Sequence, residues 1–241
     1  MKQQFAAKHP WTILAAGAAI QVLTGIPAAW GVFQQPVMDE YGLSEQGAGY
    51  AFGILIAAFG VGCVLGGFLQ DSRGPRCAAL WGTALLCGGF FAAAILPGGS
   101  AGSFFLAFSI PAGLGTAFLY PSIQSCAQKW YAGRKGLATG VIGGAVGLSG
   151  AFLTVFVRTA VSGFGIVQGI RGAFWALGAI TLPVCLAGSL LLQDPPESRQ
   201  NQQGSGKNEI DLSPWQMLKT KRLIEKSQQS KRNIIRPNLI I

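Results

Sequence analysis

Hydrophobic positions in this chain run together instead of alternating with polar ones. Six uncharged, largely apolar stretches cover Trp11–Phe33, Gly47–Leu69, Cys77–Leu96, Ala101–Ala127, Leu137–Val157 and Gly172–Leu192, each at least 20 residues long. The hydrocarbon core of a bilayer is about 30 Å thick and is crossed by about 20 residues of helix. Six buried helices of that length would leave a soluble protein of 241 residues no polar exterior. The pattern therefore predicts six transmembrane helices, at roughly 11–33, 47–69, 77–96, 101–124, 137–158 and 172–192. The first stretch is too long for a typical signal peptide and has no small-residue cleavage site after it, so it is read as the first membrane helix. Residues 1–10 are read as a cytoplasmic N-terminus and 194–241 as a cytoplasmic basic linker and tail.

Composition agrees. Half of the residues are hydrophobic and 11% are charged, against about 25% charged in an ordinary soluble domain. The net charge of +9 does not point to nucleic acid, because the charges sit at the ends of apolar stretches and in the tail. Placing the N-terminus in the cytoplasm puts Lys2, Lys8, Arg73, Arg76, Lys129, Arg134 and Lys135 on the inside and only Arg158 and Arg171 outside. The excess of Lys and Arg on cytoplasmic loops thus favours both termini inside, in the plasma (inner) membrane. Arg158 and Arg171 are expected to face water and headgroups. The first outer loop is acidic, with Asp39, Glu40 and Glu45. Cys63, Cys77, Cys87, Cys126 and Cys185 form no CxxC pair and read as small packing residues.

Small residues four apart let membrane helices approach closely. Gly62 and Gly66 have that spacing in the second stretch. Gly136, Gly140 and Gly144 extend it into the fifth, with Gly143 and Gly147 beside them. These are the expected packing positions. After the sixth stretch, Asp194-Pro195-Pro196-Glu197 stops the helix. A Gln/Gly/Ser/Asn-rich linker follows over Arg199–Glu209. Ser213 and Pro214 then form a helix-start pair.

Between the second and third stretches the chain reads Gly66-Gly67-Phe68-Leu69-Gln70-Asp71-Ser72-Arg73-Gly74-Pro75-Arg76. This resembles the signature loop of the major facilitator superfamily, G-x-L-x-D-x-x-G-x-R/K, matched at Gly67, Leu69, Asp71, Gly74 and Arg76. In this reading Gly67 permits close packing at the end of helix 2 and Gly74 a sharp turn. Asp71 offers a carboxylate to a helix N-terminus or a cation, and Arg73 belongs to the same conformational-switch loop. Lys129-Trp130-Tyr131 and Gly133-Arg134-Lys135-Gly136-Leu137-Ala138-Thr139-Gly140 resemble the oxalate/formate antiporter and monocarboxylate transporter branch. So do Trp30-Gly31-Val32-Phe33 with Pro36 ending helix 1, and the Asp194-Pro195-Pro196-Glu197 and Ser213-to-Thr220 segments. The resemblance covers about residues 11–222.

The resemblance implies an all-α membrane protein: a six-helix bundle arranged as three plus three, one half of a major-facilitator fold. It implies a secondary transporter for a small organic anion such as a mono- or dicarboxylate, working by alternating access. It also implies a seventh apolar helix after Arg222. Leu223–Arg236 is polar and basic instead, so the chain is expected to be truncated before helix 7. The positive residues that hold a dicarboxylate in the oxalate transporter type lie in the second half. The expected partners are the lipid bilayer, the anion and a second six-helix half, in the same or a separate chain.

Because no charge lies within the stretches, neutral polar groups carry the information. Gln21 and Thr24 are three apart, and Thr116, Tyr120 and Gln124 are spaced by four, so each set shares a helix face. The resemblance lines the central cavity with helices 1 and 4, which hold these residues. The other use of such groups is hydrogen bonding between helices. No P-loop, HExxH or GxSxG run is present, and His9 has no acidic or nucleophilic neighbour in sequence. No enzyme activity, cofactor or metal is expected. A non-transporting fragment and a membrane-embedded assembly subunit are the alternative readings.

Overall fold

The structure is a computed structural model, and it describes residues 10–97, 101–163, 169–193 and 195. The N-terminal residues 1–9, the turn at 98–100, and the linker and tail (including the Ser213–Pro214 helix start) lie outside the described residues. Eight α-helices follow in order: α1 (Pro10–Thr24), α2 (Ile26–Tyr41), α3 (Glu45–Arg73), α4 (Pro75–Ile95), α5 (Ala101–Phe104), α6 (Ile110–Trp130), α7 (Lys135–Gly163) and α8 (Gly169–Leu191). They make six membrane-crossing units, because α1 and α2 form one span, Pro10–Tyr41, and α5 and α6 another, Ala101–Trp130. The protein is an all-α bundle of six spans, and no strand occurs among the described residues.

The first span shows where local chemistry decides. Gly25 and Pro27 interrupt it between α1 and α2. Proline supplies no N–H to the helix ladder and crowds the preceding turn, and the Ala28 amide bonds to the Gly25 carbonyl at 3.1 Å instead. Pro36, the expected end of helix 1, lies inside α2. The helix runs on to Tyr41 and stops at Gly42, whose φ of 64° is a left-handed conformation that glycine adopts without strain. Asp39 and Glu40 therefore belong to the last turn of α2 and not to a loop. The link to α3 is short, and the Ser44 hydroxyl caps α3 by accepting the Gly47 amide at 3.1 Å. In the fourth span, Pro111 has no N–H for the Ala107 carbonyl. The turn over Phe105–Ser109 widens to a π-helical one, a form in which helices accommodate such a break.

The core is built by α6 packed on α3 and α4, α4 on α8, and α1 and α2 on α7. Close approach depends on glycine. A Cβ on Gly113 would stand 2.4 Å from the Leu55 carbonyl oxygen, and one on Gly115 would stand 2.5 Å from the Leu86 nitrogen. Gly62 and Gly66 face α6, where a Cβ would meet Ala117 and Phe118 at 2.6 and 2.8 Å. The α7 row corrects the sequence expectation for packing within this bundle. Gly136, Gly140, Gly143, Gly144 and Gly147 are exposed, and a Cβ on any of them would meet nothing within 4 Å.

At the end of the bundle that carries Tyr41, aromatic rings replace glycines. Phe174 of α8 lies 4.9 Å from Phe108, 5.9 Å from Phe33, 6.2 Å from Phe90 and 6.5 Å from Phe104, centroid to centroid. Tyr41 packs tilted against Phe104, with ring centroids 4.8 Å apart, and donates its hydroxyl to the Ala93 carbonyl at 2.6 Å.

Candidate functional site

A cavity of about 360 Å³ opens beside the break in the first span. Its wall is made by Gln21, Thr24, Gly25, Pro27, Ala28, Ile56, Phe59, Thr116, Tyr120 and Val146. Four of the five polar residues singled out from the sequence thus meet on one surface, although they come from helices far apart in the chain. None of the lining residues is charged. The fifth candidate, Gln124, sits one helical turn beyond Tyr120 and is not among the lining residues. Its Oε1 is buried without a hydrogen-bond partner among the described residues.

The hydrogen bonds within the wall fix what it can offer. Thr24 donates its hydroxyl to Gln21 Oε1 at 3.1 Å, which leaves Gln21 Nε2 buried and without a partner among the described residues. Thr116 donates to the Ala112 carbonyl at 2.8 Å. Tyr120 is half-buried, with its ring 6.4 Å from Phe59. Sequence reasoning missed Ile56, Phe59 and Val146, since apolar residues of α3 and α7 carry no mark that separates cavity lining from core. It also missed Gly25. A Cβ there would overlap the Ser149 side chain of α7, whose hydroxyl lies against the Val146 and Gly25 carbonyls.

The loop motif joins α3 to α4 through Gly74 alone. Its φ of 88° is open to glycine and disfavoured for side-chain-bearing residues. Its amide closes α3 on the Gln70 carbonyl at 2.8 Å, and Pro75 starts α4. Asp71 and Arg73 are exposed in the last turn of α3 and Arg76 is half-buried in the first turn of α4. The Asp71 carboxylate makes no ion pair or hydrogen bond among the described residues. Gly67 faces open space, so it does not bring helices together here. The neighbouring Gln70 does, donating to Ser125 of α6 at 2.9 Å. At the opposite end, Arg171 departs from expectation: it pairs with Glu40 at 2.7 Å and lies 5.9 Å over the Tyr41 ring. Glu40 sits one residue before Tyr41, so continuing α2 past Pro36 is what brings this carboxylate to α8.

A sequence model of the Major Facilitator Superfamily matches residues 13–232. The chain belongs to that superfamily. Among superfamily relatives, the oxalate:formate antiporter of Oxalobacter formigenes is 23% identical over 83% of this chain and 46% of its own length. Monocarboxylate transporter 9 of Mus musculus is 29% identical over 75% of this chain and 35% of its own. A crystal structure of the peptide transporter POT in complex with sulfate superposes with a TM-score of 0.58 at 22% identity, covering 81% of this chain and 42% of that one. That likeness shows the shared fold. The chain spans less than half the length of these relatives. Proteins of the superfamily work in membranes, carry small substrates and are in general carriers and not enzymes.

Proposed function

We propose that this chain is a cavity-bearing half of a secondary transporter for a small organic anion, a mono- or dicarboxylate, and that it acts with a second six-helix half. The observation that carries this reading is the convergence of Gln21, Thr24, Thr116 and Tyr120 on one uncharged cavity. Amide and hydroxyl groups can hydrogen-bond a carboxylate, but neutral groups alone compensate its desolvation poorly. The balancing cation is assigned to the missing wall. Two spans are placed to receive that wall. Only 17% of the apolar segment of α3 and 22% of that in the fifth span are buried, against 56% in the first and third spans. The exposed faces carry Val61, Val64 and Leu65 on α3 and the glycine row with Leu148 on α7. A partner covering both faces would close the cavity that they flank, and rocking of the two halves would give alternating access.

The test uses the purified 241-residue chain. Formate, lactate, pyruvate or oxalate at ten times its dissociation constant is expected to stabilise the chain by about 1.4 kcal/mol, read as a rise in thermal midpoint. In liposomes the same chain alone is expected to take up none of them above the protein-free level. A midpoint that ignores all four ligands overturns the carboxylate reading. Saturable uptake without a partner would replace the second half with a second copy of this chain.

We place both termini in the cytoplasm of a cell with an inner membrane, on the distribution of basic residues and the even number of crossings. A reporter active only outside the cytoplasm should give signal when fused after Glu45 and none after Arg76. The reverse pattern would invert the topology.

A further inference from the structure

We infer that Thr116 makes this cavity selective for carboxylates that carry a neighbouring hydrogen-bond donor, as 2-hydroxy acids do, over 2-oxo acids and plain carboxylates. The inference rests on the carboxylate reading of the cavity and adds a chemical class to it.

The argument is a count of protons. A threonine hydroxyl has one hydrogen to donate and two lone pairs to accept with. Thr116 has its hydrogen on the Ala112 carbonyl at 2.8 Å, and Thr24 has its own on Gln21 Oε1 at 3.1 Å. Both threonines therefore turn only lone pairs to their surroundings. Thr24 is fully covered, whereas Thr116 keeps 6% of its surface open and stands on the cavity wall. The donors lie elsewhere on that wall. Gln21 Nε2 has no partner among the described residues, and Tyr120, whose backbone stands one helical turn of about 6 Å along α6 from that of Thr116, contributes a phenolic hydroxyl.

A ligand matched to this wall presents an acceptor to Tyr120 and Gln21 and a donor to Thr116. A carboxylate with an adjacent hydroxyl does both. A 2-oxo acid brings its keto oxygen against the lone pairs of Thr116, and a dicarboxylate brings a second anionic oxygen there. Turning the Thr116 proton toward such a ligand would break the 2.8 Å bond to Ala112. Leaving lone pairs face to face forfeits one hydrogen bond, worth roughly a fivefold to tenfold difference in affinity.

The experiment is a binding series on the full chain in lipid nanodiscs, followed by saturation-transfer NMR, which reads weak affinities. The probes are lactate (hydroxyl), pyruvate (keto) and propionate (neither). Lactate is expected to bind at least about fivefold tighter than the other two. Thr116→Val should bring lactate down to the level of propionate, and Thr116→Ser, which keeps the acceptor, should restore the preference. Tryptophan fluorescence on heating reports whether each variant is folded. If Thr116→Val does not fold, Thr116→Ala, which removes the same acceptor without the extra methyl bulk, takes its place with the same expected loss of preference. Equal binding of lactate and pyruvate, or a preference that survives Thr116→Val, overturns the role of Thr116 and leaves the carboxylate reading standing. No binding of any of the three above empty nanodiscs overturns both.

Discussion

Gly115→Ala is expected to lower the thermal midpoint of the bundle sharply, with a loss of about 1–3 kcal/mol. The new methyl would stand 2.5 Å from the Leu86 nitrogen and 2.8 Å from the Gly82 oxygen. Both are backbone atoms of α4, so no side-chain rotation relieves the overlap and the two helices must part. Gly113→Ala meets the same obstacle on α3, at the Leu55 carbonyl. Gly140→Ala is the control. Its methyl reaches open space, and alanine is the better helix former by up to about 1 kcal/mol. This variant is expected to be neutral or slightly stabilising in the isolated chain and damaging only where a partner covers α7. Thermal unfolding of the three variants in one detergent checks the contrast. Similar losses for Gly115→Ala and Gly140→Ala would mean that the helices are not packed as described.

Asp71→Asn is expected to impair conformational switching in an intact two-half protein more than substrate binding. The carboxylate is exposed at the end of α3, whereas the α3 residues that line the cavity are Ile56 and Phe59. Twelve residues of helix, about 18 Å, separate Asp71 from Phe59. A charge-assisted hydrogen bond contributes about 1.5–3 kcal/mol. Losing one made in a single state would shift the balance between states at least about tenfold. Substrate affinity under equilibrium conditions should change little while turnover falls. Normal turnover with weakened binding would contradict the assignment.

The membrane architecture was legible because its signal is length. Runs of 20 or more uncharged residues have few soluble interpretations, and all six became helical spans. The polar wall was partly legible for a related reason. In a helix, Thr116 and Tyr120 fall on one face by spacing alone, and a polar face among apolar neighbours is conspicuous. What spacing cannot supply is which helices meet. Glycine row length pointed to α7, yet the glycines tightest against another helix's backbone are on α6 and α4, where Gly113, Gly115 and Gly82 form no long repeat. A glycine packs only if a neighbour arrives, and the neighbour belongs to tertiary structure. The end of the first span, expected at Pro36, lies further on for a comparable reason. Pro36 and Pro27 look equivalent in sequence, but Pro27 stands two residues after Gly25, and Ser149 of α7 lies against that glycine. The Glu40–Arg171 pair joins residues more than a hundred positions apart, beyond any local pattern.

The ring cluster around Phe174 bears on how the molecule is made. Phe33, Phe90, Phe104 and Phe108 come from earlier spans and reach the membrane first during synthesis, yet each has Phe174 as a neighbour within 6.5 Å. Until α8 arrives, their shared centre is a hole the size of a phenyl ring. A chain halted on the ribosome before Gly169 would hold most of its hydrophobic length in the bilayer with that hole unfilled. Completion of this end of the bundle therefore waits on α8. α8, the last of the described helices, fills the space between the rings of spans inserted before it.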